Sequence, residues 1–185
     1  MELFIVGCIL PVLVGAGALL TGRTRAATWF ATLGVWVGCA VASIPVIAVL
    51  SGQAVKPIRL AWSMPGGSLS FGLDGLSAFF CLPILLVSPL AALYGCAYLA
   101  DEKKSLGPIL FFYNVLTASM LLLMASRNAL LFLIVWELMA ISSFFLVVFD
   151  DEHAHVREAG WTYLIATHIG MPAACAVRDH GQGRS

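Results

Sequence analysis

Long runs without charge dominate this chain. Residues 3–22, 26–55 and 75–100 hold no Asp, Glu, Lys or Arg, and 108–125 and 128–149 hold one between them, Glu137. A helix needs roughly 20 apolar residues to cross the hydrocarbon core of a bilayer. Each run is close to that length or exceeds it. A water-soluble domain built from such runs would have nothing left to face water. The sequence therefore predicts an all-α fold, a polytopic transmembrane helix bundle of about five or six helices, the sixth beginning near Ala159. Charged residues make up 11% of the chain, against about a quarter in a soluble domain, and they gather in the connectors.

Those connectors set the organisation. Residues 1–55 carry the first two spans, 56–74 an external loop, 75–170 spans three to six, and 171–185 a tail of different character. Within the loop, IRLAWSMPGGSLSFGLD alternates apolar and polar residues about Pro65, Gly66 and Gly67. That pattern predicts a short hairpin. Trp62 and Phe71 suit the headgroup level, where aromatic rings are enriched. Pro83 and Pro89 imply a bend in the third span. Later connectors are DEKKSLG at 101–107, the tight turn Ser126–Arg127–Asn128, and DDEHAHVRE at 150–158. Arg23, Arg25, Lys103, Lys104 and Arg157 lie on one side, and Lys56, Arg59 and Arg127 on the other. The positive-inside rule then puts the N-terminus and the 51–75 loop outside. No positive residue precedes Arg23, so the first run reads as a retained helix rather than a secretory signal.

Several classes of function are disfavoured. Net charge is zero with no basic block, so nucleic acid is not an expected partner. Cys8, Cys39, Cys81, Cys96 and Cys175 show no CxxC spacing. They read as small apolar packing residues, not as a disulfide framework or cluster ligands. His153 and His155 beside Asp150, Asp151 and Glu152 form a charged turn with no second ligand group nearby, so no metal site is expected there. There is no Gly-rich phosphate loop, haem motif or Ser/His triad pattern, and no cofactor is expected.

Glu137 is the residue most suggestive of chemistry. It lies mid-span within LLFLIVWELMAISSFFLVVF. An ionised carboxylate at that depth costs at least about 2.5 kcal/mol. A carboxyl held there suits proton exchange, or else serves as hydrogen-bonding glue between helices. His168, in WTYLIATHIG, lies at similar depth in the sixth span, with Thr167 beside it and Tyr163 one turn earlier. It suits a proton relay or a packed neutral imidazole. Asn114 and Thr117 share a helix face; with Tyr163 and Thr167 they are candidates for lining a hydrated path, or for bonding helices together. Ser119, Ser142 and Ser143 are weaker candidates of the same kind. Asp74 precedes the third span and suits an N-terminal cap.

Three stretches together resemble one family: LSFGLDGLSAFF at 69–80, NALLFLIVWELMAISSFFLVVFD at 128–150 and VREAGWTYLIATHIG at 156–170. They are similar to the antiporter-like, proton-translocating membrane subunits of respiratory complex I and related hydrogenases, most of all component B of hydrogenase-4 and its formate hydrogenlyase counterparts. The resemblance implies a fold of about fourteen helices with two inverted repeats, of which this chain holds the N-terminal portion. It implies that Glu137 transfers protons, normally with a lysine on a seventh helix, and that His168 falls in a TH-x-G motif. It also implies no redox cofactor, lateral contact with other membrane subunits, a peripheral arm performing electron transfer, and a place in the cell's inner (plasma) membrane. The chain departs from the pattern in two ways. Lys56, Lys103 and Lys104 all lie in connectors, and the tail MPAACAVRDHGQGRS does not continue as an apolar helix. These departures point to a frameshift or gene truncation shortly after Gly170. Rival expectations are a subunit of a multisubunit sodium/proton antiporter, and a non-catalytic membrane scaffold or decaying fragment.

Overall fold

A computed structural model describes residues 1–21, 25–60, 69–98, 106–148, 160, 162–163 and 165–167. Among the described residues the named elements are, in order, α1 (Glu2–Thr21), α2 (Arg25–Leu50), β1 (Ile58–Leu60), β2 (Leu69–Phe71), α3 (Gly75–Tyr98), α4 (Gly107–Ala125) and α5 (Ala129–Val147). All five helices are long and apolar enough to cross a membrane. The two shortest, α4 and α5 at 19 residues each, span about 28 Å at 1.5 Å per residue, close to the thickness of the hydrocarbon core. Residues 160, 162–163 and 165–167 are also helical. The rest of the expected sixth span, with His168, lies outside the described residues, as do Trp62 and Cys175.

The ends of the helices follow from local chemistry. α2 stops where Gly52 takes a left-handed φ of +84°. There Gly52 N–H donates to Val49 and Gln53 N–H to Ala48, a Schellman closure that glycine adopts without a Cβ penalty. Asp74 caps α3, its Oδ1 accepting from Ser77 N–H at 2.7 Å. Pro108 enters the first turn of α4, where a missing N–H costs nothing. Asn128 caps α5 by accepting from Leu130 N–H at 2.8 Å.

α4 is the central post, in contact with α1, α2, α3 and α5. It is 44% buried, whereas α5 is only 22% buried, so α5 is the outer helix of this group. Exposed Trp29, Phe30, Leu33 and Trp36 on α2, with Leu76, Phe79 and Leu86 on α3, carry no penalty against acyl chains. Small residues bring α1 and α2 together. A Cβ placed on Gly7 would stand 2.7 Å from Gly38 O and from Ala42 N. The two backbones therefore touch directly, as small residues permit in membranes.

Polar side chains within the spans bond mostly to their own helices. Thr32 donates to Thr28 O, Thr117 to Tyr113 O, Ser119 to Val115 O and Ser142 to Leu138 O. Lipid offers no alternative partner, which favours this back-bonding. Tyr113 reaches across instead, donating to Ser88 O at 2.6 Å.

At the rim shared by the N-terminus, the hairpin and the α4–α5 turn, the chain is clasped. β1 and β2 pair antiparallel, Ile58 opposite Phe71 and Leu60 opposite Leu69, as the alternation around Pro-Gly-Gly predicts. Phe71 forms a further bridge with Ser126. Gly72 N–H donates to Ala125 O, and Arg127 N–H to Ser70 O, both at 2.9 Å.

Candidate functional site

Glu137 stands eight residues after the start of α5, at mid-span, and is half-buried. Its surroundings follow from helix periodicity. Leu131, Val135 and Ser142 are the buried residues turned toward α4. Glu137 is two residues beyond Val135, roughly 200° around the helix, so it lies away from α4. It shares a face with Ala140 and Phe144, at i+3 and i+7. The C-terminal end of that stripe meets Gly160: a Cβ there would strike Val148 and come within 3.4 Å of the Phe144 ring.

The helical segment that holds Gly160 supplies a polar contact. Ser143 Oγ and Tyr163 Oη are 2.6 Å apart, and Thr167 Oγ1 donates to Tyr163 O at 3.1 Å. Gly160 meets Val148 and Phe144 while Tyr163 meets Ser143, so the segment runs back along α5. From the Ser143–Tyr163 contact, Thr167 lies about 6 Å up its helix and Glu137 about 9 Å along α5, at 1.5 Å per residue. Thr167 and Glu137 therefore stand within about 3 Å of one another in height. Glu137 and Thr167 are thus at similar depth. His168 follows Thr167 but lies outside the described residues.

Asn114 and Thr117 are buried elsewhere. Gly15 of α1 packs on Asn114, where an added Cβ would lie 3.0 Å from Asn114 Cβ. The α4 face toward α5 carries Phe112, stacked on Phe145 with centroids 4.2 Å apart, and Leu123, clustered with Leu131 and Val135. Ser119, at i+7 from Phe112 and four before Leu123, lies on that face and is fully buried. The structure therefore brings Ser119, not Asn114 or Thr117, to the α5 side. Asn114 Nδ2 donates to Leu110 O at 2.7 Å, while its buried Oδ1 has no partner among the described residues. Trp136 Nε1, adjacent to Glu137 in sequence, is likewise buried without a partner among them.

Asp74 has a second role beyond capping. Its Oδ2 lies 3.0 Å from Arg127 Nη2, and Arg127 Nε donates to Gly72 O at 3.3 Å. Ser77 N–H, the Ser77 hydroxyl and then Arg127 hold the Asp74 carboxyl below its ordinary value. Sequence reading identified the cap and missed the ion pair. The available signal was two opposite charges at span ends on the same side. Among the described residues no group of three His, Cys, Asp or Glu side chains could hold a metal ion, and Cys8, Cys39, Cys81 and Cys96 are free and buried.

A bundle of five helices long and apolar enough to cross a membrane defines a polytopic membrane protein. No family model matches the sequence. Over 113 residues, 60% of this chain, it is 34% identical to hydrogenase-4 component B of Escherichia coli. It is 32% identical over 102 residues to a putative antiporter subunit of Staphylococcus saprophyticus. Over 170 residues, 87% of the chain, it is 29% identical to NADH-ubiquinone oxidoreductase chain 5 of Cryptococcus neoformans. The matched parts make up 17%, 13% and 25% of those relatives, so the chain spans a minor part of their length. Its fold matches a chain in the structure of the membrane-bound sulfane sulfur reductase, an archaeal respiratory membrane complex, with TM-score 0.73 over 95% of this chain and 26% of that one, at 20% identity. The chain is thus a homologue, over part of their length, of the antiporter-like membrane subunits of hydrogenase-4 and complex I.

Proposed function

We propose that this chain forms part of an antiporter-like subunit that moves protons across the inner (plasma) membrane within a multisubunit oxidoreductase of the hydrogenase-4 or complex I kind. The observation that carries the reading is Glu137: a half-buried carboxyl at the middle of an apolar span. Carboxyls at such depth are costly and mark proton pathways. Glu137 is the central proton-carrying group. His168, beside Thr167, is the second. The hydroxyls of Ser143 and Tyr163, 2.6 Å apart, stand about 9 Å further along α5 from Glu137. The open Oδ1 of Asn114 offers a separate place for water between α1 and α4.

The chain has no redox centre of its own in this reading. It sits laterally against other membrane subunits, and a peripheral arm performs the electron transfer. All three lysines lie in connectors, so a lysine acting with Glu137 comes from outside this sequence.

The test is Glu137→Gln in native membranes carrying the complete complex. Proton uptake driven by electron transfer is followed with a pH-sensitive dye. Loss of a positioned proton-transfer group lowers the rate at least about tenfold. Unchanged uptake at normal assembly would leave Glu137 a structural residue and favour a scaffold role. The similarity to a putative antiporter subunit supports a second reading, sodium/proton exchange. In that case proton movement follows an imposed sodium gradient without any electron donor.

A further inference from the structure

We propose that the cavity at the clasped rim binds the phosphodiester headgroup of an anionic phospholipid. The cavity has a volume of about 570 Å³ and opens between the hairpin and the α4–α5 turn. Its walls are of two kinds. Arg59, Arg127, Ser70 and Asn128 are polar, whereas Val55, Pro57 and Leu73 are apolar. It lies where α3 and α5 begin and α4 ends, which is the level at which a spanning helix leaves the hydrocarbon.

The charges select the ligand. Arg127 is compensated by Asp74 at 3.0 Å. Arg59 is exposed and has no ion pair among the described residues. Two guanidinium groups against one carboxylate leave one positive charge in excess. A phosphodiester carries one negative charge and presents oxygens suited to the guanidinium fork. Its glycerol and upper acyl carbons match the apolar wall. Inorganic phosphate offers the same oxygens but has no apolar part, and near neutral pH much of it carries a second charge.

The experiment uses the full chain in nanodiscs of phosphatidylcholine mixed with an equal part of phosphatidylglycerol, with retained lipids counted by native mass spectrometry. The wild type is expected to retain phosphatidylglycerol in preference. Arg59→Gln should reduce that preference about tenfold, the weight of one charge-assisted hydrogen bond. Lys56→Gln removes the same charge from a neighbouring exposed position that does not line the cavity. It should reduce the preference no more than about fivefold, as for diffuse attraction. The Arg59 side chain makes no hydrogen bond or ion pair among the described residues, and Gln keeps the backbone pairing with Ser70, so Arg59→Gln should unfold at the wild-type temperature in pure phosphatidylcholine. Arg127→Gln is avoided because it would also open the clasp. Equal losses for Arg59→Gln and Lys56→Gln, or no preference in the wild type, would overturn the proposal. Displacement of phosphatidylglycerol by millimolar inorganic phosphate would also overturn it, assigning the site to the free anion.

Discussion

Gly38→Ala should loosen the α1–α2 pair although it adds only a methyl group. The added Cβ would overlap the Pro11 ring and stand 2.6 Å from Gly7 O. Neither neighbour yields easily, since one is a closed ring and the other is backbone. The helices must part by about half an ångström, which forfeits roughly a quarter of the 0.1–0.2 kcal/mol held by each atom pair across the seam. Over a few dozen pairs the loss is about 1–2 kcal/mol, within the range of about 1–3 kcal/mol for overpacked interiors. Gly17→Ala is the control, because a Cβ there meets nothing within 4 Å. Both changes gain the same helix propensity, up to about 1 kcal/mol, so their difference isolates the clash. Reversible unfolding in mixed detergent micelles, read by circular dichroism, measures it. If Gly38→Ala is as stable as Gly17→Ala, the direct backbone contact of α1 and α2 is wrong.

Other outcomes follow from the interfaces. The Asp74 carboxyl is held below its ordinary value of 3.8, so its contribution to stability is fully present above that pH and is lost as pH falls through the lowered value. The unfolding midpoint of the wild type should drop there, while Asp74→Asn should show a smaller acid dependence; parallel curves for the two proteins would contradict the ion pair. Ser143→Ala and Tyr163→Phe should be coupled by about 0.6 kcal/mol and at most about 1.7 kcal/mol, as for other hydrogen bonds between membrane helices. Strictly additive single changes in a double-mutant cycle would remove that hydroxyl contact.

The spans were legible because membrane crossing is a matter of length and charge, and each run is either long enough or not. The hairpin was legible because alternation and Pro-Gly-Gly both point to a turn. Asp74 was legible as a cap from its place before an apolar run. What faces what was not. α4 and α5 are apolar nearly all round, so their periodicity does not say which side meets protein and which meets lipid. This is why Asn114 and Thr117 could be paired on one face of α4, yet Asn114 could not be assigned to the α1 side. The Gly7–Gly38 contact needed a register between two helices. The Asp74–Arg127 pair joins residues far apart in the chain, and only the folded rim brings them together.

The clasp also has a place in time. Gly72 and Arg127, which meet there, are separated by 55 residues. A ribosome adding about 5–20 residues per second needs roughly 3–10 seconds to make that stretch. Throughout the interval the hairpin has emerged, but its N–H and C=O partners on the α4–α5 turn do not yet exist. The rim can therefore lock only after α3 and α4 have entered the bilayer and the turn between α4 and α5 has been delivered to the correct side. An inverted α4–α5 pair would leave Arg127 on the wrong side of the membrane and the hairpin unlatched, so the clasp checks the topology of the helices made before it.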